Sequence, residues 1–150
     1  MKIALGSDHA GYVLKEAIKS YFSKSKIEFK DFGTFKIDSC DYPEYSYKVS
    51  IAVASGEADL GVLVCGTGIG MCIAANKVAG ANAALCSDAY STERSRKSNN
   101  ANIMTLGSQV VGSQLAKQLL TIWMGAEYTP GGRSEPKIQR INDYAEQNQT

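Results

Sequence analysis

Hydrophobic positions along the chain switch repeatedly between a period of two and a period near 3.6. Lys2–Gly6 reads as a short strand, and from His9 to Ser23 the residues Leu14, Ile18, Tyr21 and Phe22 recur at the spacing of one helix face. Ile27–Phe32 alternates like a second strand. Pro43 suits a first helical residue, and Tyr45, Val49, Ala52 and Val53 line the face that follows it. Leu60–Cys65 is apolar apart from Gly61, as expected of a central parallel strand covered on both sides. Past a glycine-rich loop the pattern predicts a helix over Ile69–Val78, a strand over Asn82–Cys86, a helix over Asp88–Lys97 and a strand over Ile103–Leu106. A helix from about Val111 to Met124 carries Leu115, Leu119, Ile122 and Trp123 on one side. Tyr128–Arg133, with Thr129-Pro130-Gly131-Gly132, is a loop, and a last helix over Pro136–Gln147 presents Ile138, Ile141 and Ala145.

Strands alternating with helices argue for a parallel sheet with helices on both faces. Right-handed crossovers put every strand-to-helix loop on one sheet edge, where such folds bind ligands. The loops Ser7–Gly11, Gly33–Tyr42, Gly66–Gly70, Ser87–Tyr90 and Gly107–Gly112 are therefore the candidate site segments.

The 150 residues suit one domain spanning 1–150. Lys plus Arg number 16 and Asp plus Glu 15, a net charge of +1, which supplies no global field for nucleic acid or an anionic membrane; any anion site must be local. No apolar run approaches the ~20 residues of a membrane span. The opening Met1-Lys2-Ile3-Ala4-Leu5-Gly6 is unlike a targeting peptide, and the four cysteines form no Cys-x-x-Cys pair. The expectation is a cytoplasmic protein with reduced thiols.

Gly61-Val62-Leu63-Val64-Cys65-Gly66-Thr67-Gly68-Ile69-Gly70 reads as strand, glycine loop and helix start. Backbone amides of such a loop can turn toward an anion. No Gly-Lys-Ser/Thr follows, so it is not a P-loop; its glycines read GxGxG, so it is not the dinucleotide fingerprint either, and the bland alternative is a tight turn. Cys65 and Cys86 both close strands; the three glycines after Cys65 single it out as a candidate nucleophile or base, although most buried cysteines are apolar filler. Cys72 falls within a predicted helix, and Cys40 in a polar loop. Asp8 and the single histidine, His9, end the first strand. Ser7 or Asp8 serves there as a helix cap or Asp8 as a ligand contact, and His9 can add charge to an anion site. One histidine and no cysteine cluster argue against a metal site. Asn99, Asn100 and Asn102 cluster before the fifth strand. Arg133 and Lys137, four apart, form an exposed basic pair or a phosphate clamp; if they serve the glycine loop they come from another subunit.

These segments together resemble the type B ribose-5-phosphate isomerases, within the wider group of ribose, allose and galactose phosphate isomerases. The matching pieces are Gly6-Ser7-Asp8-His9-Ala10-Gly11, Asp31-Phe32-Gly33-Thr34, Asp41-Tyr42-Pro43, Cys65–Gly70 with Ala74-Ala75-Asn76-Lys77, Gly107-Ser108-Gln109-Val110-Val111-Gly112 and Gly131-Gly132-Arg133. The resemblance implies a Rossmann-like three-layer α/β/α fold with a five-stranded parallel sheet and an extra C-terminal helix. It also implies a homodimer, or a tetramer, with shared sites, a phosphorylated sugar substrate, and no metal or cofactor. On it, Cys65 is the base that moves a proton between carbons 1 and 2, and Gly66, Gly68, Ile69, Gly70 and Asn99 hold the enediolate oxygens. Thr67 and Asp8 orient hydroxyls. His9 and, from the partner, Arg133 and Lys137 meet the phosphate.

Three positions depart from the family pattern. Ser98 stands where many members have a ring-opening histidine, Gln109 where many have a phosphate-binding arginine, and Lys137 where many have a second arginine. A serine cannot replace histidine in acid–base work near neutral pH. Gln109 donates without charge, and Lys137 keeps the charge but not the fork. A six-carbon aldose 6-phosphate is the near alternative substrate. A non-catalytic nucleotide-binding module is the distant one.

Overall fold

The structure is a computed structural model and describes residues 1–148. It contains β1 (Lys2–Ser7), α1 (Tyr12–Lys24), β2 (Glu28–Asp31), α2 (Tyr42–Ala54), β3 (Leu60–Cys65), α3 (Ile69–Ala75), β4 (Ala83–Leu85), α4 (Ala89–Lys97), β5 (Ile103–Gly107), α5 (Ser113–Gly125) and α6 (Glu135–Gln147). All strand pairings are parallel, in the order β2-β1-β3-β5-β4, so the fold is the expected three-layer α/β sandwich. β3 is buried at every residue, which accounts for its uninterrupted apolar run.

Each face of the sheet has its own core. On one, Leu14, Ile18 and Phe22 of α1 meet Leu119, Leu120 and Trp123 of α5 over Ile3, Leu5, Val62 and Val64. On the other, Val49, Ala52 and Val53 of α2 and Met71 and Ala75 of α3 cover Ala4, Leu63, Cys65 and Ile103. The alternation of β1 and β3 side chains between these cores is the period of two seen in the sequence. α6 is different: none of its residues is buried, and Ile141 and Tyr144 are exposed.

Several ends differ from the sequence expectation. α1 starts at Tyr12 rather than His9 because the Asp8 carboxylate accepts the Gly11 N–H at 2.9 Å and closes a turn ahead of the helix. Asp88 is the cap of α4, not its first residue, accepting the Ser91 N–H at 2.8 Å. α3 stops at Ala75, three residues early, as the Asn76 side chain turns to pair with both the N–H and the carbonyl of Ala83 in β4. Among the described residues, no helix is long and apolar enough to cross a membrane.

Candidate active site

β1 and β3 are neighbours, but the sheet grows away from them in opposite directions, with β2 outside β1 and β5 and β4 beyond β3. This is the switch point, where the loops leaving the carboxyl ends part and leave a crevice. One flanking loop carries Asp8 and His9; the other carries Gly66–Gly70. Asp8 N–H donates to Val64 O at 3.2 Å, Ser108 N–H to Cys65 O at 2.8 Å, and Gln109 N–H to Gly66 O at 3.0 Å. The Ser108 hydroxyl donates to Ala10 O at 2.8 Å. Three loops, far apart in sequence, are thereby fixed to one edge.

Cys65 is 5% exposed, and its Sγ accepts the Gly68 N–H at 3.1 Å. Gly68 has φ +79° and lies flat on the end of β5: a Cβ there would stand 2.8 Å from the Leu106 carbonyl carbon and 2.6 Å from Leu85 Cδ1. Only glycine fits both demands, and this close approach aims the Gly68 N–H at the sulfur. Thr67 Oγ1 accepts the Ile69 N–H at 3.2 Å, which leaves its own proton to donate. Among the described residues, the amides of Gly66, Thr67 and Gly70 have no acceptor. The arrangement is a thiol beside a row of open N–H donors, suited to holding a developing oxyanion.

Asp8 is buried, with one carboxylate oxygen engaged by Gly11 N–H. His9 is half-buried and meets Cys40, which donates its N–H to Nδ1 at 3.2 Å. The Gln109 amide nitrogen lies 3.6 Å from the place a Gly66 Cβ would occupy. Asp8, His9, Cys65, Gly66, Thr67, Gly68, Ile69, Gly70 and Gln109 therefore share the carboxyl edge.

Ser98 and Asn99 do not join them within one chain. α4 runs back against the strands, and its end at Lys97 precedes β5, whose first residue Ile103 pairs with Gly61 while Cys65 pairs with Gly107. Four rungs of strand, about 13 Å, separate those ends. Ser98 Oγ accepts two hydrogen bonds from the Arg94 guanidinium, at 2.8 and 2.5 Å. Asn102 is a structural clamp, its amide joining Asn82 N–H and Gly80 O. Arg133 and Lys137 are exposed at the start of α6 and make no ion pair among the described residues.

The other cysteines separate from Cys65. Burial pushes the Cys86 thiol up, and the nearby hydroxyls, Ser95 Oγ at 4.0 Å among them, offset only part of this, so it stays a neutral core group. Cys72 Sγ donates to Ala83 O at 3.5 Å. Among the described residues, no group of three or more His, Cys, Asp or Glu side chains is placed to hold a metal ion.

The profile of the ribose/galactose isomerase family matches residues 3–141. The chain belongs to this family. It is 46% identical over 140 residues to ribose-5-phosphate isomerase B of Escherichia coli (strain K12), covering 93% of each chain. It is 42% identical over 148 residues to D-erythrulose-4-phosphate isomerase of Pectobacterium atrosepticum, covering 98% of this chain and 97% of that one. The solved structure of Clostridium thermocellum ribose-5-phosphate isomerase B superposes with a TM-score of 0.96 at 45% identity, covering 99% of both chains.

Two residues of the candidate segment Gly33–Tyr42 make contacts that the sequence does not single out. The Tyr42 ring rests on Gly70, where a Cβ would come within 2.6 Å of it. Its signal was present, since Asp41-Tyr42-Pro43 is one of the matched segments. Cys40 meets His9 from 31 residues away, a contact with no local signal.

Proposed function

We propose that this chain is an aldose–ketose isomerase that interconverts D-ribose 5-phosphate and D-ribulose 5-phosphate through an enediolate. The observation that carries the reading is Cys65 Sγ at the switch point, hydrogen-bonded to Gly68 N–H beside the open amides of the loop. Cys65 takes the proton from carbon 2 of the open-chain aldose, exchanges it with solvent and delivers a proton to carbon 1, while the proton of the carbon-2 hydroxyl passes to the carbon-1 oxygen. The amides of Gly66–Gly70 meet the oxygen that becomes negative meanwhile, and Thr67 and Asp8 orient the hydroxyls. The names of the relatives support a five-carbon substrate, and the four-carbon substrate named for the Pectobacterium relative is the reading to set beside it.

The site is completed by a second copy. A two-fold axis perpendicular to the strands brings the amino edge of one sheet toward the carboxyl edge of the other, so Ser98 and Asn99 of one chain reach Cys65 of its partner. Ile69 in the glycine loop, Ile73 one turn further along α3, Leu85 against Gly68, and Tyr90, which lines a cleft with Leu85, are 51%, 59%, 41% and 76% exposed, an apolar surface that suits such a copy. Arg133 and Lys137 then meet the phosphate together with His9. The protein acts as a one-domain cytoplasmic homodimer.

The test is proton NMR of the protein with ribose 5-phosphate in deuterium oxide. Ribulose 5-phosphate with deuterium at carbon 1 is expected. Erythrose or six-carbon aldose phosphates turning over in its place would move the substrate assignment, and no product from any of them would overturn the reading.

A further inference from the structure

Three basic residues close α4: Arg94, Arg96 and Lys97. The negative end of the helix attracts all three alike, but two have fixed partners. Arg96 donates to Ala101 O at 2.6 Å and to Ala126 O at 3.3 Å, and lies over the Trp123 ring. Lys97 pairs with Glu93 at 2.7 Å. Arg94 differs. Its Nε and Nη2 both donate to one hydroxyl, Ser98 Oγ, at 2.8 and 2.5 Å. Among the described residues, no carboxylate oxygen lies within 4.0 Å of it. A guanidinium has five N–H donors, so three of them stay open. A hydroxyl aims such a group but does not neutralise it.

Arg94 is half-buried and lines a cleft of about 510 Å³ with Leu85, Tyr90, Asn99 and Ile141. Its Cα lies one turn before Ser98, yet the bond to Ser98 carries the charge forward to the end of α4, beside Asn99. This is the end of the helix that the two-fold arrangement brings to Cys65 of the partner subunit. Negative charge develops there on a substrate oxygen, and the glycine-loop donors that meet it are neutral amides. A preplaced cation in a site closed off from water stabilises such an oxygen strongly.

We propose that Arg94, aimed by Ser98, supplies the positive charge that faces the developing oxyanion in the partner's site, and is thus a further catalytic residue of the isomerisation. Ser98 is its positioning residue. With both lone pairs engaged by Arg94, the Ser98 hydroxyl has only its proton to offer, and it donates to the same oxygens. The inference rests on the isomerase reading and on the second copy that completes the site.

The test is steady-state isomerisation of ribose 5-phosphate by variants of the whole chain. Arg94→Gln keeps a donor for Ser98 and loses the charge. Its kcat should fall at least about tenfold while KM changes less than about threefold, because the charge is needed most in the transition state. Lys97→Gln removes a neighbouring charge of the same turn and should leave kcat as it is. Equal losses in the two variants would make this a general field effect and overturn the proposal. A lowered unfolding midpoint in Arg94→Gln with native kcat would overturn it too, since Arg94 would then serve the fold alone. Arg94→Ala and Cys65→Ala chains, refolded together in equal amounts, should recover about a quarter of the native activity. No recovery would place Arg94 with Cys65 of its own chain and refute the arrangement across the two copies. Native protein that turns over no aldose phosphate would overturn the isomerase reading and this inference with it. Native protein that is active, with Arg94→Gln undiminished, would overturn this inference alone.

Discussion

Cys65 Sγ accepts a hydrogen bond from Gly68 N–H, the donor of a residue that has no room for a side chain. The sulfur and the loop amides are thus set by one backbone contact with β5. Cys86, which closes β4's side of the sheet, faces the core instead. We expect Cys65→Ala to lose nearly all turnover with its thermal unfolding midpoint little changed, and Cys86→Ala to keep turnover. Full activity in Cys65→Ala would end the role of this thiol as base.

Gly68→Ala tests the contact itself. The added methyl meets the Leu106 carbonyl carbon at 2.8 Å, at a φ of +79°. A left-handed conformation at a non-glycine residue costs about 1–3 kcal/mol, before the clash is counted. The loop has to move off β5, which displaces the N–H from Cys65. Thermal unfolding should show a lowered midpoint, and kcat should fall more than KM rises. A loss of stability with kcat intact would separate the loop geometry from the chemistry.

The buried cation at Lys15 makes a prediction in pH. Burial alone would push the Asp31 carboxyl up, but hydrogen bonds from Lys15, Lys19 and Gly33 N–H outweigh it and hold the group below its ordinary value. A depressed carboxyl contributes stability above its unfolded value, about 3.9, and that contribution is lost as pH falls from there through the folded value. The exposed carboxyls of Glu57, Asp88 and Glu93 are also held low, but water screens them. The unfolding midpoint of the native chain should therefore drop steeply below about pH 4, and that of Asp31→Asn should be flatter there. At neutral pH Asp31→Asn leaves buried Lys15 with only the Glu16 carboxylate, 3.8 Å away, a loss of up to about 3–5 kcal/mol. Parallel acid slopes for the two proteins would refute this account.

How far the sequence reached depends on the range of the contact. The five strands and the helix faces follow from local periodicity, and Cys65, Asp8 and His9 fall together because each ends a strand at one edge. Lys15 sits next to Leu14 in a helical pattern and reads as surface; it is buried because Asp31, 16 residues on, reaches it. The turn before α1 hides behind an aspartate that reads equally well as a helix cap. The grip of Cys40 on His9 and the placement of Ser98 and Asn99 at the far end of β5 come from tertiary topology, which no local spacing encodes.

That far end yields the sharpest test of a shared site. If Cys65 of one chain works with Asn99 of the other, Cys65→Ala and Asn99→Ala proteins are each inactive as homodimers but complement when mixed. In a mixed dimer one site pairs the native Cys65 of the Asn99→Ala chain with the native Asn99 of the Cys65→Ala chain, and the other site holds both defects. Random reassortment of equal amounts makes half of the dimers mixed with one working site each, so activity should recover to about a quarter of the native value. Chains unfolded together and refolded, then assayed for isomerisation, give the number. If both residues served one site in the same chain, every site in the mixture would carry a defect and no activity would return; the distance along β5 argues for recovery.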